Sequence, residues 1–314
     1  MSDNTKFGRS YVLRIECNPD GSGDEYIEIA YPLTCEFSIE RNTLASNNKA
    51  NFTIYNLGEI TRDRIYKDIC EKENWKAVQF FAGYSNETGS NLPRCFNGMV
   101  NYAYSQRMGP DFRTVIDAFD GYTAFGVDSV SLSTPAGMSQ ADQIKQASAE
   151  ILKNITDMAP PTISDKFKKV SPRILALMGD PKTVAGEVSD GTGYVDNMSL
   201  YFLPHEDCLD GDVRLINWEN GLIGTPKRSN LLVELEMLFE PRIKPSQWIE
   251  LQTLTSKKLN GVYKVAGIVH KGTISGSVAG DCTTSLTLMM QPGLTVVYDE
   301  ATENYRVQGQ GVEY

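Results

Sequence analysis

Leu33, Cys35, Phe37 and Ile39 alternate strictly with Thr34, Glu36, Ser38 and Glu40. A period of two places one set on each face of an extended strand, and no helix can do that. Tyr11, Leu13, Ile15 and Cys17 repeat the pattern, as do Ala50, Phe52 and Ile54. Further strand-like stretches cover 77–84, 96–105 and 112–119. Breakers lie between them: Asn18-Pro19-Asp20-Gly21-Ser22-Gly23 is a turn by composition, and 42–49 is a polar loop. Short strands separated by turn signals predict an antiparallel barrel or sandwich. One amphipathic helix interrupts it over 59–70, where Ile65 and Ile69 stand a turn apart to cover its flank.

The period changes after 127. Ser139 with Asp142 forms a capping box in its shorter-acid form. Ile144, Ala147, Ile151 and Ile155 then fall on one helical stripe, which Pro160-Pro161 stops. A second helix is predicted over 182–188 after Asp180-Pro181, closed by Gly191 and Gly193. A short strand pair follows over 194–203. From 213 the strands return, over 212–216, 231–239, 248–251, 262–270 and 283–290, with Asn260-Gly261 as a hairpin turn. The expected class is mainly β with a small α+β insert. The units are 1–127 (β), 128–206 (α+β insert), 207–297 (β) and 298–314, a polar, mobile C-terminal tail. No repeat of 20–50 residues is present, which argues against a solenoid.

A chain of 314 residues that is 41% hydrophobic can fill two or three cores. Its formal charge of −10 is spread along the sequence. Such a balance disfavours gripping nucleic acid or an anionic membrane, both of which need clustered Lys and Arg. No apolar run approaches the ~20 residues of a membrane helix. The stretch Met1-Ser2-Asp3-Asn4-Thr5-Lys6 lacks the apolar core of a signal peptide, so synthesis and assembly in a cytoplasm are expected. The six cysteines form no CxxC pair and read as free, half-buried small hydrophobes. Glycosylation-like triplets at Asn51, Asn86 and Asn154 read as chance.

Little in the chain promises catalysis. It has two histidines, His205 and His270. His270 ends an alternating run that sets Tyr263, Val265, Gly267 and Val269 on one face, and it reads as a strand-end residue. His205 sits beside Glu206, Asp207, Asp210 and Asp212, the densest oxygen cluster in the sequence. The spacing does not match a calcium loop, so a solvated acidic linker is the expectation, with a cation site as the alternative. No nucleophile elbow, phosphate loop or HExxH is present. No catalytic, metal-ligating or cofactor-binding residue is assigned, and no cofactor is expected. Phe80, Phe81, Tyr84, Tyr102 and Tyr104 lie in strands without interleaved basic residues, which favours core packing over base stacking.

Two stretches carry a family resemblance. The first is Ser38-Ile39-Glu40-Arg41, a loop, then Asn48-Lys-Ala-Asn-Phe-Thr-Ile-Tyr-Asn-Leu57 and Thr61-Arg62. The second is Asn217-Trp-Glu-Asn-Gly-Leu222-Ile-Gly-Thr-Pro226, then Glu234-Leu-Glu-Met-Leu-Phe-Glu-Pro241, Lys244-Pro245 and Asn260-Gly-Val-Tyr-Lys-Val265 through His270. Together with Pro135-Ala-Gly137 before the Ser139 helix, they resemble the baseplate hub proteins of tailed phages, relatives of the base of type VI secretion spikes. Thr273 departs from that pattern, where an acid is common.

The resemblance implies two tail-tube-like antiparallel β-barrel domains around the insert and a homotrimer forming a pseudo-sixfold ring. It also implies a place in the virion, in the baseplate of a contractile tail. The implied partners are a second and third copy, the tail tube, spike and baseplate wedge proteins, and a tape measure protein. Sequence-specific nucleic-acid binding and membrane insertion are not expected. The Gly221-Leu222-Ile223-Gly224 stretch, with Pro226, is expected to be a turn at which Leu222 and Pro226 shape a subunit or tube contact. The alternatives are a tail-associated peptidoglycan hydrolase and a host-surface-binding distal tail protein.

Overall fold

In a computed structural model, the described residues are 6–17, 25–44, 47–71, 76–84, 92–121, 129–153, 158–209, 211, 213–290, 294–299 and 304–309. The 18–23 turn, Asn86, Asn154, Ile155, Asp210 and Asp212 lie outside them. The first part contributes β1 (Arg9–Glu16), β2 (Tyr26–Ala30), β3 (Cys35–Asn42), β4 (Lys49–Tyr55), β5 (Ala77–Tyr84), β6 (Arg94–Met108) and β7 (Asp111–Phe119). Alternation decides their faces: Tyr11, Leu13, Ile15, Cys35, Ile39, Phe52 and Ile54 are all fully buried. Helix α1 (Glu59–Ile65) ends sooner than the 59–70 expectation. Ile65 is buried against the sheet while Ile69 is 59% exposed, so the second apolar turn has no core to reach.

The insert holds β8 (Val130–Thr134), α2 (Gln140–Leu152), β9 (Ala159–Ile163), β10 (Leu175–Gly179), α3 (Pro181–Val188), β11 (Gly193–Val195) and β12 (Ser199–Phe202). Ser139 caps α2 by accepting the Asp142 amide at 3.2 Å, and Asp180 caps α3 by accepting that of Thr183 at 2.9 Å. Ile144, Ala147 and Ile151 point into a core of the insert's own. Pro160-Pro161 lies within β9, which pairs parallel to β12.

The last part supplies β13 (Arg214–Ile216), β14 (Leu222–Ser229), β15 (Leu232–Leu238), β16 (Trp248–Leu251), β17 (Gly261–Ile274) and β18 (Cys282–Met290). The β strands on either side of the insert are not separate sheets. They run β14-β15-β18-β17-β3-β4-β7-β6-β5-β1-β2, with β16 pairing β17 and β13, as one 13-stranded sheet. The join is β17. Its first residues pair β16 over Gly261–Lys264 and its later ones pair β3 over Gly267–Ile274. A bulge at Ala266 marks the hand-over, and the Ala266 carbonyl accepts the Thr43 amide at 2.9 Å. One core lies under β1–β7 and also takes in Phe239, Ile274 and Cys282; another lies under β13–β18.

Three expectations are corrected by the backbone. The 222–226 stretch is not a turn but most of edge strand β14, with a register shift between Ile223 and Lys227 that accommodates Pro226. Asn260-Gly261 does not close the β16–β17 hairpin alone. A longer loop with a 3-10 turn at Lys257–Leu259 does so, and Asn260 Oδ1 holds the Thr253 amide at 2.7 Å. The stretch after 297, read as a mobile tail, contains strand backbone: β19 (Leu294–Asp299) and β20 (Asn304–Gly309) pair antiparallel. Val296, Val297, Tyr298, Tyr305 and Val307 supply strand propensity that its Gly and Gln content masks.

Candidate functional site

The two stretches singled out in the sequence meet in space. β3 and β17 are adjacent, with Arg41 opposite Ile268 and Ile39 opposite His270. Two residues beyond Ile39, the alternation of β3 brings Arg41 to the inward face, where it is 2% exposed. A guanidinium there needs an anion, and the insert provides it. Arg41 donates from Nε to Asp196 Oδ1 at 2.7 Å and from Nη2 to Oδ2 at 2.6 Å. Its Nη1 reaches the Ile243 carbonyl at 3.3 Å. One side chain thus ties all three parts of the chain together.

Asp196 opens the two-residue turn between β11 and β12. Asn197 and Met198 both have positive φ, 52° and 60°, as a type I′ hairpin turn requires. That conformation aims both amides at Asp120, whose oxygens accept Asn197 at 2.5 Å and Met198 at 2.8 Å. Asn48 completes the cluster: it donates to the Val195 carbonyl at 2.9 Å and accepts the Asn42 amide at 2.9 Å. Beside it Gly121, at φ +66°, leaves no space for a Cβ against Val195. Burial first, and then the Asp196 charge, push Asp120 up to about 7, against the two amides and Arg41.

A buried lysine fastens the linker that leads out of the insert. Lys264 on β17 donates to the Pro204 carbonyl at 2.8 Å and the Asp207 carbonyl at 2.6 Å. A cavity of about 360 Å³ opens between Arg41, Thr192, Tyr194, Leu203, Ser246 and Met289. Its walls come from the insert, the linker and both β parts.

His270 is fully buried in the middle of β17, not at a strand end. The Ala266 bulge shifts the phase, so Ile268 and His270 turn inward in place of Gly267 and Val269. Burial, followed by the nearby Arg41, pulls its pKa down to about 3, and its Nδ1 lies 2.9 Å from Thr284 Oγ1. A neutral ring sealed from solvent cannot serve as a base for substrate. His205 and Glu206 are exposed on the linker. Asp207 is taken up by Lys166 at 2.7 Å and by Ser164. Among the described residues no group of three or more His, Cys, Asp or Glu is placed to hold a metal ion. No helix among them is long and apolar enough to cross a membrane.

Leu222 is half-buried against the second β core and Pro226 is buried in the strand. What β14 and the loop before it offer outward is Ile223, 40% exposed, and Trp218, 63% exposed. The Trp218 loop is held by Asn217, whose side-chain oxygen takes the Asn220 amide at 2.9 Å and whose carbonyl takes that of Leu222 at 2.9 Å. The arrangement fixes how the parts of the chain stand to one another and presents apolar groups on a rigid edge. Its His270–Thr284 pair is sealed from solvent.

The family model for baseplate hub gp41 matches residues 13–271, most of the chain. The chain belongs to that baseplate hub family. No curated protein matches it by sequence. Solved structures share its fold at low identity. The tail protein from Neisseria meningitidis MC58 is 8% identical with a TM-score of 0.58, over 91% of this chain and 97% of that one. The 43 kDa tail protein of prophage MuSo2 from Shewanella oneidensis is also 8% identical at 0.58, over 90% and 97%. The E. coli c3393 protein, a component of the type VI secretion system, is 7% identical at 0.53, over 83% and 74%. As a baseplate hub protein, this chain is a structural component of a phage tail.

Proposed function

We propose that this hub protein closes a threefold ring that joins the sixfold tail tube to the central spike and lets DNA pass along the axis. The observation that carries the reading is the β3–β17 pairing, which fuses two β parts of one chain into one sheet. Three such chains present six β parts around an axis, each a tube-like barrel in this reading. That satisfies a sixfold neighbour on one side and a threefold one on the other. The formal charge of −10 favours a lumen through which DNA slides without adhering. The partners are two further copies, the tube, spike, wedge and tape measure proteins of a contractile tail. The role is scaffold, without catalysis, and Leu222 and Pro226 support a contact edge on β14.

Labelling the protein in assembled tails tests the reading. Label on the tail axis at the baseplate is the expected result. Label at the outer tip would favour a host-binding protein, and clearing of cell-wall material by the purified chain would favour a hydrolase.

A further inference from the structure

We propose that the insert is held to the β parts by a proton-sensitive latch, in which Asp120 takes up the proton that favours closure. The geometry separates the insert from its surroundings. Among the described residues its core is built from residues between Val130 and Phe202, and it shares no cluster with the two β cores. Polar contacts fasten the hairpin tip to β3 and to the residues just before β4 and just after β7: Arg41, Asn48 and Asp120 on one side, and Asp196, the Val195 carbonyl and the amides of Asn197 and Met198 on the other. On one flank of this contact lies the 360 Å³ cavity, which leaves the insert room to shift.

The buried charges do not balance. Among the described residues Asp120 and Asp196 face one guanidinium, Arg41, so together the three carry a net charge of −1 when both acids are ionised. Asn48 is neutral and Tyr201 on β12 adds only a nearby phenol, raised by its own burial. Neutralising that excess by a proton is the cheapest remedy in a site closed to water. In the closed state burial and Asp196 move Asp120 up to about 7. Once open, it returns to the ordinary carboxylate value of about 4. Between those values the closed state binds a proton that the open state does not. Opening therefore becomes rarer as the pH falls, by up to about tenfold per unit, and is flat above pH 7.

Hydrogen exchange of the full chain, followed by mass spectrometry and corrected for intrinsic exchange rates, measures this. Peptides spanning 193–202 should gain protection as the pH is lowered from about 7 to 5. Asp120→Asn should abolish that dependence. Asp196→Asn, which removes the repelling charge, should shift the window to lower pH. Carbon-13 titration of the Asp120 carboxyl in the unmodified protein gives a reading that does not depend on a variant folding. A midpoint near neutrality is expected, while a midpoint below about 5, or protection that ignores pH, overturns the proposal.

Discussion

Arg41 and Asp196, 155 residues apart, form a two-pronged ion pair with 2% and 4% of their surfaces exposed. A buried pair contributes little net stability, but breaking it leaves a charge without a partner. Arg41→Leu would strand the Asp196 carboxylate, and a loss of about 3–5 kcal/mol is expected in denaturant unfolding. The double variant Arg41→Leu/Asp196→Leu should recover a large part of that loss. Equal losses in the two proteins would show that the cost lies in packing and not in stranded charge.

His270 makes a prediction of opposite sign to that of Asp120. Its folded pKa of about 3 lies below the ordinary 6.5, so between those values the unfolded chain binds the extra proton. Stability is therefore lost as the pH falls through that window, by up to about 1.4 kcal/mol per unit. His270→Gln should flatten this acid limb in urea unfolding measured across the window. An unchanged limb would mean that His270 is not sealed from water as described.

On the β14 edge, two neighbouring residues separate assembly from folding. Ile223→Asp changes an exposed side chain and should reduce assembly into tails while leaving the unfolding midpoint within about 0.5 kcal/mol. Leu222→Asp buries a carboxylate against the second core and should lower both. Tails that assemble normally with Asp at 223 would remove β14 as a contact edge.

The strands were largely legible because burial on one face imposes a period of two, as at Leu13, Ile39 and Phe52. The first cap was legible too: Ser139 accepts the Asp142 amide as their spacing implies. Where a bulge reset the phase, legibility failed. Ala266 turned His270 inward, and the register shift before Lys227 hid β14 behind an apparent turn. The turn that matters most, Asn197-Met198, lacks the Gly that marks such turns in a sequence.

The junction was half legible. Extending the β3 alternation from Ile39 lands on Arg41, so a buried arginine in need of a carboxylate could have been found. Its partner could not, because pairing over 155 residues depends on how the insert docks. Lys264 hid similarly, inside a stretch notable for its resemblance and not for its charge.

Solution mass, combined with symmetry from electron microscopy, decides whether three copies close a ring. A threefold ring gives a particle of three times the 34.8 kDa chain, with threefold averages that look nearly sixfold. A monomer at assembly concentration that stays single in tails, or a ring of six chains, would contradict it.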